Sequence, residues 1–248
     1  MRYAHLNGPW EVHFLENSPF VSSLGSLSNW RPDGIITRSS PTELYGLIKN
    51  SGRIPTVFLD APQAFYKRCV SIHHEMHRAS EAVADAYLRQ GFKNFAYVGS
   101  ASVPQPFWSS ERGKAFAAYL RRKGYDCAFY RPKTKKDWGI EQKHLMEWLS
   151  GLSKPCGLFA AFDLLAKQVL DTCLAIGVNV PDDVAVIGVD DDETICENTV
   201  PTLSSVQSDF EGGAYRAAEF LDQLMRGKIG KKALTVTYGF KRIIHRQR

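Results

Sequence analysis

The sequence predicts an α/β fold with parallel sheet, arranged as two Rossmann-like lobes. Three observations support this. Short apolar runs bounded by turn residues alternate with helical stretches along the whole chain. Residues 157–210 hold a complete βαβ unit, in which apolar runs Leu158–Phe162 and Val184–Val189 flank a stretch whose Leu165, Ala166, Val169, Leu170, Cys173 and Leu174 recur at helical spacing. Strands joined by such a helix run parallel. Finally, 248 residues carry too many of these units for one small sheet and show no barrel repeat, which favours two lobes with a cleft between them.

Taken in order, Met1–Gly8 reads as a helix tail stopped by Gly8. Trp10–Leu15 alternates apolar and polar residues like a half-buried strand, and Trp30–Gly34 forms a turn. Gly34–Thr37 is a short buried strand, Pro41–Lys49 a helix and Ile54–Leu59 the next strand. Cys69–Ile72 is a strand, followed by a helix through Ala79, Val83, Ala86 and Tyr87 that ends at Gly91. Phe95–Val98 is a strand, Ser109–Lys123 a helix, Asp126–Phe129 a strand, Pro132–Trp138 a basic loop and Ile140–Leu149 a helix. After the βαβ unit, Glu211–Met225 is a helix, and Leu234–Thr237 and Phe240–Ile244 are closing strands. The lobes are expected at 1–97 with 210–232, and at 98–209 with 233–248.

The net charge of +5 is mild, but seven of the thirty-one basic residues fall in the last twenty-one positions, Arg246 among them. Such a tail can lie near nucleic acid; a solvated tail is the simpler expectation. Five cysteines, an odd number with no CxxC pair, point to a reduced chain without disulfide framework or zinc site. Asn7, Gly8, Pro9 and Glu11 interrupt any signal-like apolar run, and no stretch reaches the ~18 apolar residues of a spanning helix. The expected location is therefore the cytoplasm, with no membrane partner.

An acid follows each strand of the βαβ unit, Asp163 after Phe162 and Asp190 after Val189. Parallel strands present their carboxyl ends on one edge, where ligands bind. Two carboxylates on one rim suit a ligand rich in hydroxyl groups; Asp163 also stands where a helix N-cap is wanted, and both readings stay open. Arg112 offers five fixed donors near a helix start, the wrong end for a cation. Phe107 and Trp108 beside two prolines read equally as a stacking platform or a hydrophobic plug. The run Asp190–Glu193 invites a metal reading, but a nucleophile motif and a partner lysine are lacking. His73 and His74, adjacent in sequence, face opposite ways and read as exposed or loop-packed rather than as metal ligands. No phosphate-binding glycine fingerprint, nucleophile elbow or Cys/His nucleophile spacing is present. No metal, cofactor or enzymatic activity is expected.

The segment VNVPDDVAVIGVDDDE…TVPTLSSVQSDF, residues 178–210, resembles the lactose/galactose repressor family and its relative, the type I periplasmic-binding-protein fold. It looks like that family's pattern of Pro-x-Asp, a buried strand, Gly-x-Asp-Asp, then Pro-x-Leu-Thr-x-Val. GFKNFAYVGS (91–100), SERGKAFAAYL (110–120) and FAAFDLLAKQVLDTC (159–173) extend the likeness over nearly the whole chain. GVDDDE and FKRIIHRQR look most like the xylose-regulator group, which joins this sugar-sensing fold to a carboxyl-terminal arabinose-type helix-turn-helix domain.

The resemblance implies a ligand-sensing domain of a sugar-responsive regulator. A monosaccharide effector, xylose or another pentose, would bind between the lobes and act allosterically on DNA binding in a dimer. Carried onto this sequence, the sugar-contacting positions are Glu75, Arg112, Asp163 and Asp190, with Lys167 and Phe210, and Trp108 in a loop that varies across the family. The resemblance also implies that the chain opens near the end of the family's first helix, so the first strand of the amino-terminal lobe and the DNA-binding domain are missing from it. Three rivals stand beside this reading: a transport protein of the same fold, a metal-dependent α/β enzyme using Asp190–Glu193, and a chain that folds but binds nothing.

Overall fold

The computed structural model describes residues 2–14, 32–38, 44, 54–61, 69–101, 105–130, 138–229 and 234–246. The chain divides into two compact units, Met1–His74 with Asp209–Tyr238, and Glu75–Ser208 with Gly239–Arg248.

The first unit holds a parallel sheet in the order β1-β2-β3-β9, formed by β1 (Ile35–Thr37), β2 (Thr56–Leu59), β3 (Val70–His74) and β9 (Leu234–Tyr238). Successive side chains of a strand face opposite ways, so each strand feeds two cores. Val57, Val70 and Ile72 pack with Ala217, Leu221 and Leu224 of helix α7 (Phe210–Met225). Phe58 turns to the other face with Leu44, Ala61 and Cys69. Helix α1 (Arg2–Asn7) joins α7 through the Tyr3 hydroxyl, which donates to Asp222 Oδ2 at 3.1 Å.

The second unit is a six-stranded sheet in the order β10-β8-β7-β6-β4-β5. Its strands are β4 (Asn94–Val98), β5 (Ala128–Tyr130), β6 (Cys156–Ala160), β7 (Val184–Val189), β8 (Ser204–Ser208) and β10 (Phe240–Ile244). All pairs are parallel except β10 with β8. Ala96, Val98, Leu158, Ala160, Val184 and Val186 meet α4 (Trp138–Ser150) and α5 (Asp163–Ala175) on one face. Phe95, Tyr97, Phe159, Ala185 and Ile187 meet α2 (Met76–Arg89) and α3 (Phe107–Arg122) on the other. Each fully buried aliphatic or aromatic side chain contributes about 1.5–3 kcal/mol, so two filled faces hold this unit together. Cys173 lies in the first of these cores, and none of the five cysteines is paired.

Three expectations need correction. The unit boundary falls after His74 rather than at 97, because β4 pairs with β6 and α2 packs on α3. The first unit likewise reclaims the chain through Tyr238, not 232, because β9 pairs with β3. Trp10–Phe14 forms no strand: Trp10 turns onto Tyr3, with ring centroids 5.6 Å apart, while Val12 and Phe14 stay exposed. The Pro41–Lys49 helix, apart from a helical Leu44, and the 131–137 loop lie outside the described residues. Among the described residues no helix is long and apolar enough to cross a membrane.

Candidate functional site

The carboxyl ends of β4, β6 and β7 in the second unit carry the densest polar chemistry. Strand β4 leads into Gly99 and Ser100, and α3 begins a few residues later at Phe107. The buried Tyr97 hydroxyl donates to Ser109 O at 2.6 Å. Ser109 Oγ accepts from the Ser100 amide at 2.9 Å and from Gln105 Nε2 at 3.3 Å. These bonds fix the first turn of α3 and with it Trp108. The indole meets Phe162 edge-on at 5.7 Å, and the Arg112 guanidinium lies over it at 5.2 Å. Arg112 is 6 % exposed and its Nη1 donates to Ala161 O, the carbonyl just beyond β6. Arg112 is the sixth residue of α3, past the first turn where the helix dipole acts most strongly, and the carbonyl and the indole face hold its charge.

Asp163 follows directly. Of the two readings left open for it, the helix N-cap falls to the extended Phe162, and Asp163 is the first helical residue, 2 % exposed. Ser205 Oγ donates to its Oδ1 at 2.6 Å and the Asp192 amide to its Oδ2 at 2.8 Å. Burial pushes its pKa up to about 6; the two hydrogen bonds pull down and the Asp190 charge pushes further up. Both oxygens are thus engaged by protein donors, and the carboxylate bolts β6, β8 and the β7–α6 loop together, α6 being Glu193–Cys196.

Asp190 directly follows β7, half-buried, with φ +114°, and Asp191 comes next at φ +57°. Neither is glycine, and such conformations cost about 1–3 kcal/mol each unless the surroundings enforce them. Asp191 accepts from Gln207 Nε2 at 2.9 Å and pairs with Arg246 at 2.9 Å. Asp192 caps α6 by accepting from the Thr194 amide. Asp191 and Asp192 are therefore taken up by structural partners, and among the described residues no three His, Cys, Asp or Glu side chains form a metal-holding group.

The remaining sequence candidates have other neighbours. Glu75 is the N-cap of α2, without a side-chain cap bond, and pairs loosely with Arg78 at 3.8 Å. Lys167 pairs with Asp171 at 2.6 Å one turn along α5. Phe210 belongs to the first unit, 47 % exposed at the start of α7, with Tyr238 at 6.2 Å.

Sequence reasoning missed Ser205, Ser208 and Arg246, and the polar edge of the first unit. Ser208 is 6 % exposed at the carboxyl end of β8, and its Oγ has no hydrogen-bond partner among the described residues. Arg246, expected to be solvated, is 11 % exposed in its side chain. In the first unit, Asp60 (φ +53°) accepts from the His74 amide at 3.2 Å and faces Arg38 at 3.4 Å. Asp60 follows an apolar strand just as Asp163 and Asp190 do, so the same signal pointed to it. His73 and His74 are buried, against expectation: His73 Nε2 bonds Ser71 Oγ at 2.8 Å, and His74 packs on Tyr238 at 5.2 Å. Burial lowers the His73 pKa, with Asp60 opposing.

Comparison with known proteins agrees with this architecture. Residues 84–247 match the family described as the periplasmic binding protein-like domain. The xylose operon regulatory protein of Haemophilus influenzae is 26 % identical over 227 residues, 88 % of this chain and 57 % of that protein. The HTH-type transcriptional regulator GntR of Pseudomonas aeruginosa is 30 % identical over 207 residues, 80 % and 57 % respectively. The chain spans about half the length of these relatives. A solved structure of the xylose-binding transcription activator xylR superposes with a TM-score of 0.84 at 22 % identity, over 99 % of this chain and 63 % of that one, a likeness of fold.

Proposed function

Because the chain belongs to the periplasmic binding protein-like domain family, we propose that it is the ligand-sensing domain of a sugar-responsive transcription regulator. It takes a monosaccharide, with a pentose such as xylose the first choice, and catalyses no reaction. The carrying observation is that an aromatic ring, a fixed guanidinium and a half-buried acid stand beside the carboxyl ends of the neighbouring strands β6 and β7: Trp108 and Arg112 next to Ala161, and Asp190 after Val189. A sugar needs all three kinds of group. The aromatic face takes the C–H side of the ring, and charged groups make hydrogen bonds to hydroxyls roughly twice as strong as neutral ones. Asp163, with both oxygens engaged, shapes this edge. The named relatives add the transcription-regulator context, and occupancy would be relayed to a DNA-binding domain outside these residues, within a homodimer. A ligand moves that equilibrium only by its differential affinity for the two conformations.

Titration calorimetry of the chain against D-xylose, L-arabinose, D-ribose, D-glucose and D-galactose tests this. Saturable heat with one pentose, weakened about tenfold or more by Trp108→Ala, is expected. Absence of heat and of thermal shift with every sugar sinks the reading.

A further inference from the structure

We propose that Arg246 is a positioning residue for the sugar site, holding Asp190 in its ligand-ready conformation through Asp191. The inference rests on the sensing reading above and adds a residue to it. Two consecutive aspartates with positive φ, +114° and +57°, do not hold themselves in that conformation. Asp190 is anchored through its amide, which donates to Val206 O at 3.0 Å. Asp191 is anchored on three sides. Its amide donates to Ser205 Oγ at 3.1 Å, Gln207 Nε2 reaches its Oδ2 at 2.9 Å, and Arg246 Nη1 lies 2.9 Å from its Oδ1. The Asp191 side chain is 3 % exposed, so this ion pair is little screened by solvent.

Arg246 is itself immobilised. Its Nε donates to Glu197 Oε1 just after α6, and its Nη1 also reaches Leu203 O at 3.3 Å. Its amide donates to Ser204 Oγ at 3.0 Å. One guanidinium therefore reaches Glu197, just after α6, through Nε, while its Nη1 lies beside both Asp191 in the loop after β7 and Leu203 O just before β8; Nε and Nη1 belong to one fixed planar fork. An ammonium has the charge but not the fork, so lysine cannot hold both acids in this geometry. Small displacements of a contact group weaken a site sharply, and this brace sits one residue from Asp190.

The test uses the full chain with D-xylose and the sugar panel as probes, reading dissociation constant and denaturant unfolding in parallel. Arg246→Lys and Asp191→Asn are each expected to weaken sugar binding about tenfold while unfolding stays cooperative. In the double variant Asp191→Asn/Arg246→Gln, which removes both buried charges, the loss should equal the larger of the losses of Asp191→Asn alone and Arg246→Gln alone rather than their product. A purely structural Arg246 would lower the unfolding free energy and leave the dissociation constant of the folded protein unchanged; that result in Arg246→Lys or the double variant overturns the proposal. If the unmodified chain binds no sugar, the sensing reading fails first. If it binds and Arg246→Lys binds equally well, only this inference fails.

Discussion

Ser205 Oγ donates to Asp163 Oδ1 over 2.6 Å, joining β8 to the first turn of α5 across forty-two residues of chain. The same oxygen accepts the Asp191 amide at 3.1 Å. One hydroxyl thus links a buried carboxylate to the acidic rim. Ser205→Ala leaves a buried carboxylate oxygen and a backbone donor without these partners. The expected cost is about 2 kcal/mol of unfolding free energy, read by urea denaturation.

Asp163 makes stability depend on pH in an unusual direction. Its pKa in the folded chain, about 6, lies above the ordinary aspartate value of 3.8, so the folded state binds this proton more tightly than the unfolded state. Its contribution is full below the unfolded value and is lost as pH rises through the folded one. The stability difference between the natural chain and Asp163→Asn is therefore largest near pH 4. It should shrink by up to about 3 kcal/mol by pH 7, in paired denaturation curves. A difference that is flat or grows over that window refutes the assignment.

Gly188 lies inside β7 where that strand passes Asp163. A methyl group there would collide with Asp163 Oδ1 and come within 3.2 Å of Ala166 Cβ and Asp163 Cα. Gly188→Ala is expected to destabilise the chain by about 2–3 kcal/mol through overpacking, measured as a lower denaturation midpoint.

Asp190 should show stability and function in opposition. At φ +114° a glycine is unstrained where aspartate is not, although glycine frees the unfolded chain. Asp190→Gly should therefore gain up to about 1 kcal/mol in thermal or denaturant unfolding while losing saturable sugar binding in calorimetry. Loss of both properties together would mean that Asp190 serves the fold.

Much of the architecture was legible because local patterning carried it. Apolar runs such as Val184–Val189 became strands over those same residues, and the helical spacing from Leu165 to Leu174 became α5. The strand-then-acid signal led to Asp163 and Asp190 and would equally have led to Asp60. The lobe boundary was not legible. Nothing local to Phe95–Val98 records that β4 pairs with β6, whose partner residues lie about sixty positions downstream. His73 and His74 were misjudged for the same reason, since their burial depends on Ser71, Asp60 and Tyr238 rather than on adjacent residues.

Local residue patterns dictate the alternation of strands and helices and set acids at the carboxyl ends of parallel strands. Both follow from periodicity and from the single direction that a βαβ connection imposes. What each acid does follows from contacts that distant segments bring to it. Asp163 is engaged by Ser205 and Asp192, Asp191 by Arg246 and Gln207, while Asp190 stays half-buried at the rim. Carboxylates of one residue type differ in role only through the donors and burial brought to them by distant segments, and those are set when the sheet assembles.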